Sequence, residues 1–171
     1  MRKIRALLVL TFVVIVFIVP SRIQAANRGE LLAAQGSEEL DTYKDQQAPD
    51  GRFIPGDKGV VKDTKTGLEW FAGPDKNTTW DKAKAWTESL SVDGGGWRMP
   101  TRDEVKGLYT KGAGAHNVSP LFMTAGGFVW TGETVGSSHA WGFCLDIGDE
   151  YWPRRTYSET ARGFAVRSGK R

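Results

Sequence analysis

The sequence predicts an α+β domain, two short helices packed on a twisted, mostly antiparallel sheet, and three features predict it. Gly96 to Val105, written GWRMPTRDEV, reads as a corner that ends in a capped helix. Trp97 and Met99 supply apolar anchors, Pro100 fixes φ, and Thr101 stands three residues before Glu104, the reciprocal capping-box spacing. Trp141, Phe143, Leu145 and Ile147 alternate with smaller or polar residues, the period-2 pattern of a half-buried strand. No repeat of 20–50 residues runs through the chain, which argues against a solenoid or a propeller.

In chain order, residues 1–25 read as a signal peptide: Arg2, Lys3 and Arg5 precede an apolar run from Ala6 to Val19, and Ile23-Gln24-Ala25 offers a cleavage site. That run is shorter than the ~20 residues a spanning helix needs, so no membrane span is expected after cleavage. Residues 26–50 are polar, with leucines too sparse to bury a face, and read as a linker or arm. The domain is expected over 51–171. Gly59–Asp63 and Leu68–Phe71 are strand candidates joined by an Asp/Thr/Gly turn, hence a hairpin. A helix is expected from Trp80 to about Ser91, with Ala83, Trp86 and Leu90 as its buried stripe and Gly94–Gly96 as its end. The capped helix runs from Arg102 to about Thr110, and residues 111–127 read as a loop. Phe128–Thr131, the alternating run, a turn at Gly148-Asp149, a return strand near Tyr151–Tyr157 and a closing strand Gly163–Arg167 are expected to form a meander.

Charge excludes one class of partner. Of the 23 basic side chains, Arg2, Lys3, Arg5 and Arg22 lie in the signal segment, which has no acid; removing four leaves 19 against 20 acids. A mature chain of that balance gives no support to a nucleic-acid partner. Cys144 stands alone, so no internal disulfide is available and packing must hold the fold; it reads as a small buried apolar residue within a strand. Seven tryptophans and eight phenylalanines can build that core.

Seven landmarks in order then resemble one bacterial family: Gly51-Arg52-Phe53; Val61 to Asp63 with Thr66-Gly67-Leu68 and Trp70; Trp80 with Ala83 and Leu90; Trp97-Arg98-Met99-Pro100-Thr101 with Glu104; Trp130-Thr131-Gly132; Ala140-Trp141; and Phe164–Arg167. Over residues 51 to 168 the chain resembles the Lcl-type C-terminal domain, and the resemblance implies a C-type-lectin-like fold. Met99, Thr131-Gly132 and Val166 depart from the residues common in that family, so a ligand known for one member does not carry over. Trp70, Trp80, Trp97 and Trp130 read as core anchors, and Arg98 as a partly buried partner for carbonyls or an acid.

Catalysis finds little footing. That fold also hosts formylglycine-generating enzymes, whose chemistry needs more cysteine than Cys144 provides. His116 and His139 lie in no metal spacing, and Ser137-Ser138-His139 has no identifiable acid to orient it. The calcium-site triplets of sugar-binding members of the fold are missing, and Asp146, Asp149 and Glu150 read as a solvated turn, so no metal and no cofactor are expected. The binding reading needs least. Between Gly132 and Thr160 stand His139, Asp149, Glu150, Tyr151, Trp152, Arg154 and Arg155, an aromatic and arginine mixture suited to a glycan, polyanionic ones included, or to a surface protein. Tyr151 and Trp152 have two open readings, contact surface or continued core. The expected role is an exported, non-catalytic recognition or adhesion module, in the periplasm or secreted. The alternative is a structural component of an envelope assembly docked through residues 26–50.

Overall fold

The computed structural model describes residues 51–169; the expected signal peptide, the polar arm and the last two residues of the chain lie outside the described residues. A seven-stranded sheet runs in the order β1-β2-β3-β7-β4-β5-β6. Its strands are β1 (Phe53–Pro55), β2 (Val61–Asp63), β3 (Leu68–Ala72), β4 (Phe128–Val135), β5 (His139–Cys144), β6 (Asp149–Tyr151) and β7 (Ala161–Ser168). Every pairing is antiparallel except β4 with β7. Two helices, α1 (Trp80–Ser89) and α2 (Arg102–Lys106), complete a sheet-rich α+β fold. No helix among the described residues is long and apolar enough to cross a membrane.

The first hairpin forms where the turn chemistry places it. Asp63 accepts from Lys65 N at 3.0 Å and from Thr66 Oγ1 at 2.8 Å, while Gly67 takes φ +71°. Burial pushes the Asp63 carboxyl up, but hydrogen bonds from Arg52 and Thr66 outweigh it and hold the group below its ordinary value. α1 begins at Thr79, whose side chain accepts from Lys82 N, and its Ala83 is buried as expected. The helix stops at Ser89, before the three glycines, because Leu90 is already extended. Trp86 and Leu90 are half-buried; the inward residue beside them is Thr87, whose hydroxyl returns to Ala83 O at 2.9 Å.

β7 separates two packed layers, since its residues alternate between the faces of the sheet. Phe164 and Val166 join Trp70, Val129, Phe143 and Phe122 on the side that α2 covers. Ala161, Gly163 and Ala165 face α1, with Trp80, Trp130 and Trp97. All four tryptophans expected as anchors are buried. Arg98 takes the expected kind of partner, with Nη2 2.6 Å from Glu104 Oε1 and Nη1 3.2 Å from Met99 O, but it is exposed rather than partly buried.

Several expectations are corrected. The closing strand is no meander neighbour of β6: it runs through the middle of the sheet, between β3 and β4. Buried on both faces, it carries the near-continuous small and apolar pattern of a central strand. The return strand expected near Tyr151–Tyr157 is Asp149–Tyr151, followed only by a bridge between His139 and Arg154. Pro153 accepts from Ala140 N at 3.2 Å but has no N–H to return, which breaks the ladder there. The alternating run stops at Cys144; Leu145 is buried in the turn and Ile147 is exposed. Cys144 is half-buried rather than buried. α2 ends at Lys106, one turn early, and the loop 111–127 contains a short helical turn, Pro120–Phe122, that drives Phe122 into the core.

Two buried charges tie the layers together. Arg167 donates to Glu69 Oε2 at 2.7 and 2.8 Å, with both side chains under 7 % exposed, and its guanidinium lies 4.3 Å from the Trp97 ring centre. Removing one partner of such a pair leaves a buried charge uncompensated, at about 3–5 kcal/mol, whereas an exposed helix pair such as Lys84–Glu88 contributes only about 0.3–0.5 kcal/mol. Arg167→Leu is therefore expected to lower the unfolding free energy by about 3–5 kcal/mol and Lys84→Ala by under about 0.5 kcal/mol, measured by urea denaturation. Equal effects would show that the buried pair is not a stabilising contact.

Acid sensitivity has a source at the start of α2. The hydrogen bond from Arg98 holds the Glu104 carboxyl below its ordinary value, burial opposes this, and Thr101 N adds to it at 2.8 Å. A depressed carboxylate stabilises the fold above its unfolded-state titration range, and that stabilisation disappears as pH falls through the folded-state value. Glu104→Gln should thus be less stable than the parent near pH 7, with the gap closing in acid. Thermal melts across pH check this, and a gap that widens on acidification would be the wrong sign.

Candidate functional site

The site begins with a bulge. β4 and β5 pair in register at Trp130 with Gly142 and again at Thr134 with Ala140, so three residues of β4 face one of β5. Those three residues receive the start of α2. Gly132 N donates to Pro100 O at 2.8 Å, Glu133 Oε1 accepts from Arg102 N at 2.9 Å, and Thr131 Oγ1 donates to Trp141 O at 3.0 Å. From the other layer, Trp80 Nε1 donates to Thr131 O at 2.8 Å.

With its helix seated this way, Arg102 reaches over β5. Its guanidinium lies 3.6 Å from the centre of the Trp141 ring and forms an ion pair with Glu150 on β6. Trp141 also meets Trp152, their ring centres 4.7 Å apart and tilted by 57°. The hydrogen bond to Glu150 also holds the Arg102 guanidinium above its ordinary value. Trp152 is 53 % exposed and Tyr151 44 %, so both belong to the surface and not to the core. The result is a platform: an exposed indole resting on a second indole that is braced by a paired arginine.

Of the residues singled out from sequence, Glu150 and Trp152 meet here. Tyr151 is opposite Gly142, on the other face of the hairpin from Glu150. Asp149 is exposed and accepts from Glu150 N at 2.8 Å. His139 Nδ1 is 2.9 Å from Ser138 Oγ, and its backbone bridges that of Arg154, whose side chain is exposed. Arg155 turns inward. It pairs with Asp81, donates to Ser137 O at 3.2 Å and lies 4.3 Å from the centre of the Trp80 ring, which makes it a clasp between α1 and the late segment. Sequence reading missed Arg102, Glu133 and Trp141 as site residues. The signal for Trp141 was its place in the alternating run; nothing along the chain marks an Arg102–Glu150 pair 48 residues apart.

Gly142 is where the platform's strand meets the opposite layer: a Cβ there would run into the ring of Phe128. No group of three or more His, Cys, Asp or Glu among the described residues is placed to hold a metal ion.

Two tilted indoles this close couple their strong far-ultraviolet transitions, so far-UV circular dichroism should show a paired positive and negative band from Trp141 and Trp152. Trp152→Phe should abolish that couplet and Arg102→Ala should diminish it, with little change in melting temperature for either. A couplet unchanged in Trp152→Phe would mean that the two rings do not pack as described.

No curated protein matches the chain. A family model for the Lcl C-terminal domain matches residues 59–167, a span that takes in the first hairpin, both helices, the β4 bulge, the platform and all but the last residue of β7. The chain belongs to the Lcl C-terminal domain family.

Proposed function

We propose that this domain is a C-type-lectin-like recognition module, exported and non-catalytic, that takes a glycan by stacking a sugar ring on Trp152. The observation that carries the reading is the exposed Trp152 indole braced on Trp141 and Arg102. A ring held in one orientation loses little freedom on binding, and its flat apolar face suits the C–H face of a pyranose. The fold assignment draws support from the return of the last strand beside an early one, β7 against β3, and from two helices covering the sheet.

Charge around the platform favours a neutral sugar over a polyanion. Arg102 is neutralised by Glu150, Arg155 is engaged by Asp81, and Glu133 stands at the start of α2. Arg154 is left as the exposed cation of that segment, too small a patch to select a sulfated polymer.

Glycan-array screening of the purified chain, with calcium and with chelator, tests this. Neutral hexose-containing glycans should bind in both conditions. Trp152→Ala should weaken binding at least tenfold, about 1.4 kcal/mol, with an unchanged melt, and Arg154→Ala should leave it within about twofold. A profile confined to sulfated glycans and lost in Arg154→Ala, or parental binding by Trp152→Ala, would overturn the reading.

A further inference from the structure

At the turn end of the β5–β6 hairpin, away from the platform, an open cleft of about 420 Å³ lies between the Pro74–Lys76 loop and residues 115–125. Its volume falls in the range of small-ligand sites. We propose that this cleft is a second binding site, for a primary ammonium group on a short aliphatic stem.

The chemistry of the lining points that way. The one ionic side chain lining it, among the described residues, is the carboxylate of Asp75. Asp75 spends a single oxygen on the protein: Oδ1 accepts from Arg162 Nε at 2.6 Å and from Ala125 N at 3.0 Å, while Oδ2 has no partner among the described residues. The Arg162 hydrogen bond, with help from Ala125 N, keeps this carboxyl below its ordinary value, and Arg162 itself is shared with Asn77. Across the cleft, His116 Nδ1 is 2.6 Å from Asp146 Oδ1. A carboxylate can only accept there, so the neutral ring carries its proton on Nδ1 and offers the Nε2 lone pair, which has no partner among the described residues. Two unspent acceptors on the lining call for a ligand that donates hydrogen bonds.

Apolar surface supplies room for the stem. Val118, Pro120 and Met123 line the cleft, and Met123 is 58 % exposed in a left-handed backbone conformation, φ +43°. Asn117, next to His116, is also left-handed at φ +54° and is pinned by its Nδ2 to Leu145 O at 2.9 Å. Residues held in such conformations by the surrounding structure concentrate at ligand sites. No Phe, Tyr or Trp ring lines the cleft, which disfavours a quaternary ammonium and leaves one that donates hydrogen bonds.

Two carboxylates, Asp75 and Asp146, face the site against one guanidinium, Arg162, so the charge there stays negative.

The test is an amide-resolved NMR titration of the purified chain. n-Butylammonium and Nα-acetyl-lysine methylamide should shift the amides of residues 115–125; n-butyltrimethylammonium and n-butyrate should not. Asp75→Asn keeps an acceptor for Arg162 and Ala125 and removes the charge, and it should weaken binding at least tenfold. His116→Phe keeps a ring and removes the Nε2 acceptor, and it should weaken binding several-fold. The His116→Phe arm decides the matter if Asp75→Asn does not fold. Tighter binding of the lysine derivative assigns a peptide side chain as the source, and tighter binding of butylammonium assigns a free amine. Equal shifts with butyrate, no localised shifts with either ammonium, or parental binding by His116→Phe would overturn the proposal.

Discussion

The sheet has two halves, and only the last strand joins them. β1, β2 and β3 form one ribbon, β4, β5 and β6 another, and β7 takes a hydrogen-bonded place against β3 on one side and β4 on the other. Ala161 to Arg167 are consecutively buried, so this strand has no solvent face at all. Two of those seven residues are arginines, each of which must find a carboxylate: Glu69 and Asp93 for Arg167, Asp75 for Arg162. A central strand with fixed charge partners on both faces admits one register, because a slip of one residue would exchange the faces and leave both cations unpaired.

From this strand a line of contacts reaches the platform. β4 leaves β7 after Gly163, and Arg98 takes over the vacated edge through reciprocal backbone bonds with Val166 at 3.0 and 2.9 Å. The Arg98 side chain then clamps Glu104, which closes the capping box with Thr101. A five-residue helix is far too short to persist by its own hydrogen bonds, so α2 exists because its cap is held and because Val105 and the following Leu108 are buried. Its first residue is Arg102. The short motif that marks the family in sequence is thus the support beneath the exposed indole.

What could be read along the chain follows from the range of the forces involved. The first hairpin, the cap of α2 and the tryptophan anchors depend on residues within a few positions of one another or on bulk apolarity, and all were legible. The place of β7 was not, since insertion between β3 and β4 is decided by pairing across nearly 100 residues, such as Glu69 with Arg167. Pro153 was visible, yet its effect on the return strand needed the register that sets it against Ala140. Half of the candidate surface was legible in the same sense. Trp152 advertised itself as an amphipathic aromatic, while Arg155, its neighbour but two, looked identical in kind to Arg154 and is folded under against Asp81 and Trp80. Composition cannot tell an arginine that clasps from one that greets solvent; only the partner's position can.

The β5–β6 hairpin carries the platform toward one end and borders the ammonium cleft at the other, which raises the matter of communication between them. Coupling between two ligands requires an element with two arrangements that each ligand weighs differently. The body of this hairpin is an unbroken ladder from Gly142 with Tyr151 to Cys144 with Asp149, and Phe143 and Leu145 beneath it are fully buried. Asn117 fastens the cleft's loop to the same turn through two carbonyls. Nothing in this packing supplies a second arrangement for a ligand at either end to weigh. Two contact chemistries on one rigid hairpin gain affinity by a different route: when both groups occur on a single partner, the second contact forms at the effective concentration set by the first, and avidity rises without any change in shape.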